Sequence, residues 1–570
     1  MRPIRIVRRP AAATLTGPLD PVLRRVYAAR GIASLAELDL GLAGLLPVSS
    51  LDGIVEAVDL LLDARARGRR VLVVGDFDAD GATSCALLVR GLTRLGFAEV
   101  GYLVPDRFRF GYGMTPEIVA LAAERAPGLI VTVDNGMSSE AGVAVARKLG
   151  IDVLITDHHL PGATLPAANA ICNPNLAGAT FGSKALAGVG VAFYVLAALT
   201  RRLADCVPHG GLPSAADYLD LVALGTVADV VPLDRNNRIL VSQGLKRIRA
   251  GHCVPGISAL LAEGGRSAER SVAADLAFAA APRLNAAGRL DDMSLGIECL
   301  LTDDPARARL LAAELGRLNA ERRSIESRMN EEAAAIVKRM QIDDAGLPLG
   351  LCLFDEQWHP GVVGLVAARA KERLHRPVIA FAPADAGWLR GSARSVPGVH
   401  LRDALDAIAK REPGLLEKFG GHAMAAGLTL QRERLEEFRR CFAEEVCRHL
   451  EPEDAEGRVL TDGELEPAEM TLATAQTLRA AGPWGQGFAE PVFDGRFTVL
   501  DTRIVGERHL KLRVRPDGDA PVVDGIAFNF LAVDRQDLPM VAGRVQLAYR
   551  LDVNEYQGLE RLQLVVEHLC

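Results

Sequence analysis

The 570-residue chain is 49% hydrophobic and 24% charged, which excludes a disordered or fibrous protein and leaves room for three or four domains of about 100–200 residues. Its 65 Lys and Arg against 72 Asp and Glu give a formal charge of −7, which excludes capture of nucleic acid by overall charge and leaves only a local basic groove. Nine cysteines without a CxxC pair offer neither a structural zinc site nor a disulfide framework, so a reducing cytoplasm is expected.

Residues 1–50 read as an N-terminal extension. Arg2, Arg5, Arg8 and Arg9 make its start basic, but no apolar signal-peptide core follows. From 51 to 303 the pattern is α/β. β-branched runs at 71–74, 100–104, 129–133 and 153–156 alternate with helical stretches such as 82–95 and 139–149. Such alternation predicts a parallel sheet whose ligands bind beyond the carboxyl ends of its strands. The longest uncharged apolar run, 185–200, falls short of the ~20 residues that cross a bilayer and reads as a buried helix, so no membrane association is expected.

Residues 304–341 follow as one connector helix. It has a Thr302/Asp303/Asp304 start signal, Pro305 at its first position, and Gly316 as a candidate break. A smaller α/β region at 342–450 has strands near 351–354 and 377–381. After an acidic, proline-containing linker, 456–570 predicts an antiparallel barrel from alternating runs at 497–500, 510–514 and 545–553. This last region carries 12 Lys and Arg against 18 Asp and Glu. Yet Lys511, Arg513 and Arg515 fall on one face of a strand, with Arg503 and Arg508 before it. That face suits either the tracking of a single strand or a solvated sheet edge.

The chemistry collects at the predicted strand ends. The first runs into Gly75-Asp76-Phe77-Asp78-Ala79-Asp80-Gly81, where three carboxylates alternate over five residues. Unpaired, they would repel one another; a divalent cation removes that cost, and oxygen ligands suit Mg²⁺ or Mn²⁺. The third ends in Val133-Asp134-Asn135-Gly136 and the fourth in Thr156-Asp157-His158-His159. Asp229, in Gly225-Thr226-Val227-Ala228-Asp229, offers a further acid that by itself reads equally as a helix cap or a surface residue. Four acids and an imidazole can hold two cations about 4 Å apart when one carboxylate bridges them, and such a pair activates a water and neutralises charge on an attacked phosphate.

These four motifs, in this order, resemble those of the DHH phosphoesterase superfamily. Further segments resemble its RecJ branch of bacterial single-strand-specific DNA exonucleases. They are PRLNAAGR at 282–289, WHPGVVG at 358–364, GSARS at 391–395, GGHAMAAG at 420–427, GPWG at 482–485 and NEY at 554–556. The resemblance runs from about residue 50 to the end. It implies a parallel-sheet DHH domain, a long helix, a DHHA1-type substrate-binding domain and an OB-like nucleic-acid-binding barrel.

Carried over residue by residue, it implies that Asp78 and Asp80 bind different cations of a Mn²⁺ or Mg²⁺ pair. Asp134 bridges the two, and His158 and Asp229 complete the second site. Asp76, Asp157 and His159 orient these ligands or complete the first site. Arg107, Ser392 and Arg394 match positions that hold a 5′-terminal phosphate, for which guanidinium and hydroxyl donors are suited. Arg289 and His422 would contact the scissile phosphate or its neighbours; Lys511 and Arg513, on the alternating strand face, are the candidates for holding the single strand. The implied activity is 5′→3′ removal of mononucleotides from single-stranded DNA in recombination and repair, by a monomer working with single-strand-binding protein and a RecQ-type helicase. Two alternatives stand beside it: a DHH phosphodiesterase of short oligonucleotides or cyclic dinucleotides, and a non-catalytic single-strand-binding scaffold.

Overall fold

The computed structural model describes residues 4–105, 110, 113–162, 164–205, 212–339, 348–384, 387–421, 423–451, 457–506, 508–517, 521–530, 543–556 and 558–570. Two compact units divide the chain. One comprises Ala11–Arg322 with Gln476–Glu490, the other Met1–Pro10, Arg323–Ala475 and Pro491–Cys570.

In the first unit the β-branched runs form β1 (Val71–Gly75), β2 (Val100–Leu103), β3 (Leu129–Val133) and β4 (Asp152–Thr156). A short β5 (Ala170–Cys172), which sequence pattern did not reveal, completes a parallel sheet of order β2-β1-β3-β4-β5. Every residue of β1 and β3 is buried, as continuous apolar runs in a helix-covered parallel sheet should be. Four helices build the ground around the strand ends: α1 (Ala79–Arg94), α2 (Gly188–Ala204), α3 (Leu219–Ala228) and α4 (Arg235–Arg249). The apolar run at 185–200 thus becomes the body of α2. No described helix is long and apolar enough to cross a membrane. Next comes α5 (Ala281–Leu290).

The connector is one helix, α6 (Pro305–Arg339), and Gly316 does not break it. A side chain at that position would lie 2.4 Å from Glu263 Oε1, so the glycine there admits a close neighbour rather than ending the helix. Thr302 and Asp304 supply the start, the Asp304 carboxylate accepting from the Ala306 amide at 2.8 Å.

In the second unit a mixed sheet begins with β6 (Leu351–Phe354). It continues through α7 (Val363–Leu374), β7 (Val378–Pro383), β8 (Trp388–Arg394), α8 (Leu401–Arg411), β9 (Lys418–Gly421), β10 (Ala425–Gln431) and α9 (Leu435–Val446). Its strand order is β9-β10-β8-β7-β6. Five further strands, β11 (Phe493–Val505), β12 (His509–Pro516), β13 (Val523–Ala527), β14 (Gly543–Tyr556) and β15 (Leu559–Leu569), close a barrel. The expectation of a wholly antiparallel barrel needs one correction: β13 and β15 pair in parallel. Residues 4–10 join this unit, because strand Arg5–Arg8 pairs with Arg458–Thr461. The GPWG segment, by contrast, lies in the first unit.

Candidate active site

The sheet register aligns the chemistry. Gly75, Val133 and Thr156 sit side by side across β1, β3 and β4, so the residue that follows each of them, Asp76, Asp134 or Asp157, emerges at one sheet edge.

After β1 the chain turns directly into α1. Asp78 caps that helix, its carboxylate accepting from the amides of Asp80 and Gly81, both at 3.0 Å. Asp80, 1% exposed, turns inward and accepts from the amides of Gly188 (2.6 Å) and Val189 (2.9 Å) at the start of α2, where the helix dipole favours its negative charge. Gly188 is required there: a Cβ would lie 2.6 Å from that of Asp134.

Asp134 adopts φ +60°, a left-handed conformation that Asp tolerates better than most residues. Asn135 pins the turn by donating to the carbonyls of Val74 (3.1 Å) and Val133 (2.9 Å). After β4, one oxygen of buried Asp157 gathers the amides of His158 and His159 and the Nδ1 of His159 (2.7 Å), while the other accepts from the Met137 amide. His158 is thereby placed with Nε2 3.1 Å from Asp134 Oδ1 and 3.5 Å from Asp229 Oδ2. Asp229 is the C-cap residue of α3, which brings its carboxylate up to His158.

Three sets of donor atoms result, each within 4.8 Å of one another: Asp76, Asp78 and Asp134; Asp80, His158 and Asp229; and Asp134, His158 and His159. Asp134 and His158 each belong to two. The electrostatics describe a site short of positive charge. Burial, then repulsion from Asp78, pushes Asp80 up to about 7 against the pull of its two amide donors. Burial with repulsion from Asp80 and Asp78 pushes Asp229 up to about 9, and Asp134 rises for the same reasons. His159 is pushed up to about 9 because the Asp157 hydrogen bond and charge outweigh burial, and Asp157 is held below its ordinary value despite its own burial. A divalent cation is the charge that would relieve this cluster, and oxygen and imidazole donors without thiolate fit Mn²⁺ or Mg²⁺. None of the three donor sets contains a cysteine; Cys85 lies buried beneath Gly75, and burial raises its pKa.

Two residues inside the PRLNAAGR segment have a supporting role that the sequence did not disclose. Asn285, on α5, accepts the Ala79 amide at 2.8 Å, and Gly288 on the same helix packs so closely on the Phe77 carbonyl that a Cβ would sit 1.8 Å away. The PRLNAAGR segment therefore braces the three-aspartate loop and ends in exposed Arg289. Its spacing from that loop, over 200 residues, carries no local signal of the contact.

In the second unit, β8 brings Ser392 and Arg394 together, with Arg394 Nη1 3.1 Å from Ser392 Oγ. Among the described residues no carboxylate pairs with Arg394, and burial alone lowers its pKa. Arg107 and His422 lie outside the described residues. On β12 the predicted alternation holds, with Leu510, Leu512 and Val514 buried beneath Lys511, Arg513 and Arg515. Asp524 neutralises part of that face, standing 3.4 Å from Lys511.

Comparison with known proteins agrees with this layout. Residues 70–226 match the DHH family, N-terminal domain; residues 336–447 the DHHA1 domain; and residues 461–568 the RecJ OB domain. The single-stranded-DNA-specific exonuclease RecJ of Dickeya dadantii is 57% identical over 99% of this chain and 98% of its own length. That of Escherichia coli is 54% identical over 98% and 97%. The crystal structure of Thermus thermophilus RecJ in complex with Mn²⁺ superposes with a TM-score of 0.76 at 33% identity, covering 97% of this chain and 76% of that one; the Mg²⁺ complex gives 0.70. With matching domains in matching order and more than half of its residues shared over nearly its whole length, the chain belongs to the RecJ family of single-stranded-DNA-specific exonucleases.

Proposed function

We propose that this protein removes 5′ mononucleotides from single-stranded DNA in the 5′→3′ direction, using two Mn²⁺ or Mg²⁺ ions, in recombination and repair. The observation that carries this reading is the pair of donor sets, Asp76/Asp78/Asp134 and Asp80/His158/Asp229, held at one edge of a parallel sheet with His158 beside Asp134. Asp134 is the candidate bridge between the ions, and Asp157 and His159 orient the imidazole ligand from behind. Cations bound there supply an activated water and neutralise charge on the phosphate under attack.

The remaining roles belong to this chain's own side chains. Arg107, Ser392 and Arg394 take the 5′-terminal phosphate, which fixes polarity by fixing which linkage is attacked. Arg289 and His422 meet the scissile phosphate, and their positive charge stabilises the oxygens that gain charge in the transition state. Lys511 and Arg513 hold the trailing strand. The catalytic region is assigned to 51–303, the connector to 304–341, the 5′-end-binding region to 342–450 and the strand-binding barrel to 456–570, within which residues 476–490 belong to the first unit. A monomeric, cytoplasmic enzyme working with single-strand-binding protein and a RecQ-type helicase completes the reading.

The test is digestion of a long single strand labelled at either end, with Mn²⁺, with Mg²⁺ and with chelator. Metal-dependent release of 5′ mononucleotides from the 5′ end is expected. Cleavage confined to dinucleotides or cyclic dinucleotides would replace this reading with a phosphodiesterase, and binding without cleavage would replace it with a scaffold.

A further inference from the structure

The turn that carries Asp229 has a second side. Val227, Ala228, Val230 and Val231 line a cavity of about 520 Å³ whose lining includes none of the candidate metal donors, within the size range of small-molecule sites. Val230, the residue after Asp229, holds φ +59° and is 63% exposed, a strained and solvent-facing placement for a β-branched side chain. Phe278, 81% exposed, also lines the cavity, on the π-helical turn Leu276–Ala280. The structure therefore exposes two large apolar side chains to water at the lining of one cavity.

Three cations, Lys246, Arg249 and Arg479, line the same cavity with one carboxylate, Glu490, leaving an excess of positive charge. Arg249 Nε donates to the Ser271 carbonyl at 2.8 Å and Arg479 Nη2 to the Arg270 carbonyl at 3.3 Å, so consecutive carbonyls hold two like charges near each other. Burial and repulsion from Arg479 lower the Arg249 pKa against the attraction of Asp275. Ser242 and Gln486 add hydrogen-bonding groups, and Trp484 a fixed ring whose Nε1 donates to the Leu478 carbonyl. An occupant must then be flat or apolar on one part, anionic on another, and able to use a few polar contacts. A nucleotide meets all three requirements: stacking on aromatic side chains is how single strands are held without sequence readout.

We propose that this cavity is a nucleotide seat beside the metal site, with the base against Val230 and Phe278 and the phosphate on Lys246, Arg249 and Arg479. Only the source of the nucleotide rests on the exonuclease reading: it is either a unit of the substrate strand or the released mononucleotide.

Photocrosslinking of the full chain in chelator, where no strand is cleaved, tests this. The probes are oligothymidylates carrying one 5-iododeoxyuridine at successive positions, and free 5-iododeoxyuridine monophosphate. Crosslinks to peptides containing Phe278 or Trp484 are expected, falling about ten-fold in Phe278→Ala, the cost of one lost stack, and also in Lys246→Ala/Arg479→Ala. Crosslinking by the strand alone identifies the substrate as the source; crosslinking by the free monophosphate identifies the product. No crosslink there from either probe would overturn the proposal. So would an acidic, aromatic peptide that binds the wild type and not the Lys246→Ala/Arg479→Ala variant while both nucleotide probes fail. Turnover of labelled strand with Mn²⁺, scored on the same preparation, keeps the two readings apart. Crosslinking without turnover sinks only the exonuclease, and turnover without crosslinking sinks only the seat.

Discussion

His158 Nε2 and Asp134 Oδ1 stand 3.1 Å apart across neighbouring strand ends, each shared between two sets of candidate ligands. Losing Asp134 should therefore disturb both cations. Asp134→Asn is expected to lower turnover by about 10³-fold or more. It should also abolish the stabilisation that Mn²⁺ gives the wild type, about 2.7 kcal/mol for each bound cation at a hundredfold excess over its Kd. In chelator the sign reverses. The substitution removes a buried carboxyl whose ionisation is opposed by burial and by Asp80 and Asp78, so the cation-free variant should melt higher by about 2–4 °C. Thermal unfolding with and without Mn²⁺ checks both halves.

Arg394 and Ser392 are held 3.1 Å apart with no carboxylate, among the described residues, to occupy the guanidinium. If they take the 5′-phosphate, Arg394→Ala should cut kcat/KM on 5′-phosphorylated strands by about 10–100-fold, the loss of a charge-assisted bidentate contact, and barely change it on 5′-hydroxyl strands. Equal losses on both substrates would end the clamp assignment.

Asn285 is in none of the donor sets among the described residues, yet its side chain receives the Ala79 amide at the start of α1. Asn285→Ala should loosen the loop carrying Asp76, Asp78 and Asp80 and weaken Mn²⁺ affinity by about 10–100-fold, the usual cost of removing an orienting contact. Titration calorimetry measures it, and unchanged circular dichroism would show that the fold survives.

These predictions mark how far the sequence could be read. Asp76, Asp134 and the Asp157–His159 segment were legible because each follows a buried β-branched run, and the parallel register converts separate strand ends into one edge. Asp229 was ambiguous, since a helix-capping acid and a ligand look alike in one dimension. Asn285 and the amides of Gly188 and Val189 were invisible, because the contacts they make with the 79–80 segment span more than 100 residues and leave no local pattern. Gly316 misled: glycine signals a helix end when read locally, but here it makes room for Glu263.

On the barrel, Arg513 is exposed and Lys511 already faces Asp524 at 3.4 Å. Single-strand binding should weaken as salt rises, with a slope of about −0.7 per phosphate neutralised. Arg513→Ala should flatten that slope by about 0.7, and Lys511→Ala by less, because part of its charge is spent within the fold. Binding isotherms in chelator across a salt series would expose an error in either assignment.

Stability in the second unit should depend on pH through Glu445. Its side chain on α9 is 5% exposed and accepts from Arg411 and Arg448, both at 2.9 Å. Burial by itself would raise its pKa. The hydrogen bonds from Arg411 and His449 and the charges of Arg448 and Arg411 outweigh that, holding it below the ordinary carboxylate value. A carboxylate depressed on folding contributes stability that is complete above its unfolded pKa, about 4.3, and that is lost as pH falls through the folded value. Glu445→Gln should therefore cost about 1–3 kcal/mol at pH 7, the value of hydrogen bonds to a charged group. The gap from wild type should close as the solution is acidified below the unfolded pKa, because protonation then does to the wild type what the substitution has already done. Urea unfolding of both proteins at neutral and acid pH measures the gap, and a difference that stays constant across that range would rule out the ion pairs as its origin.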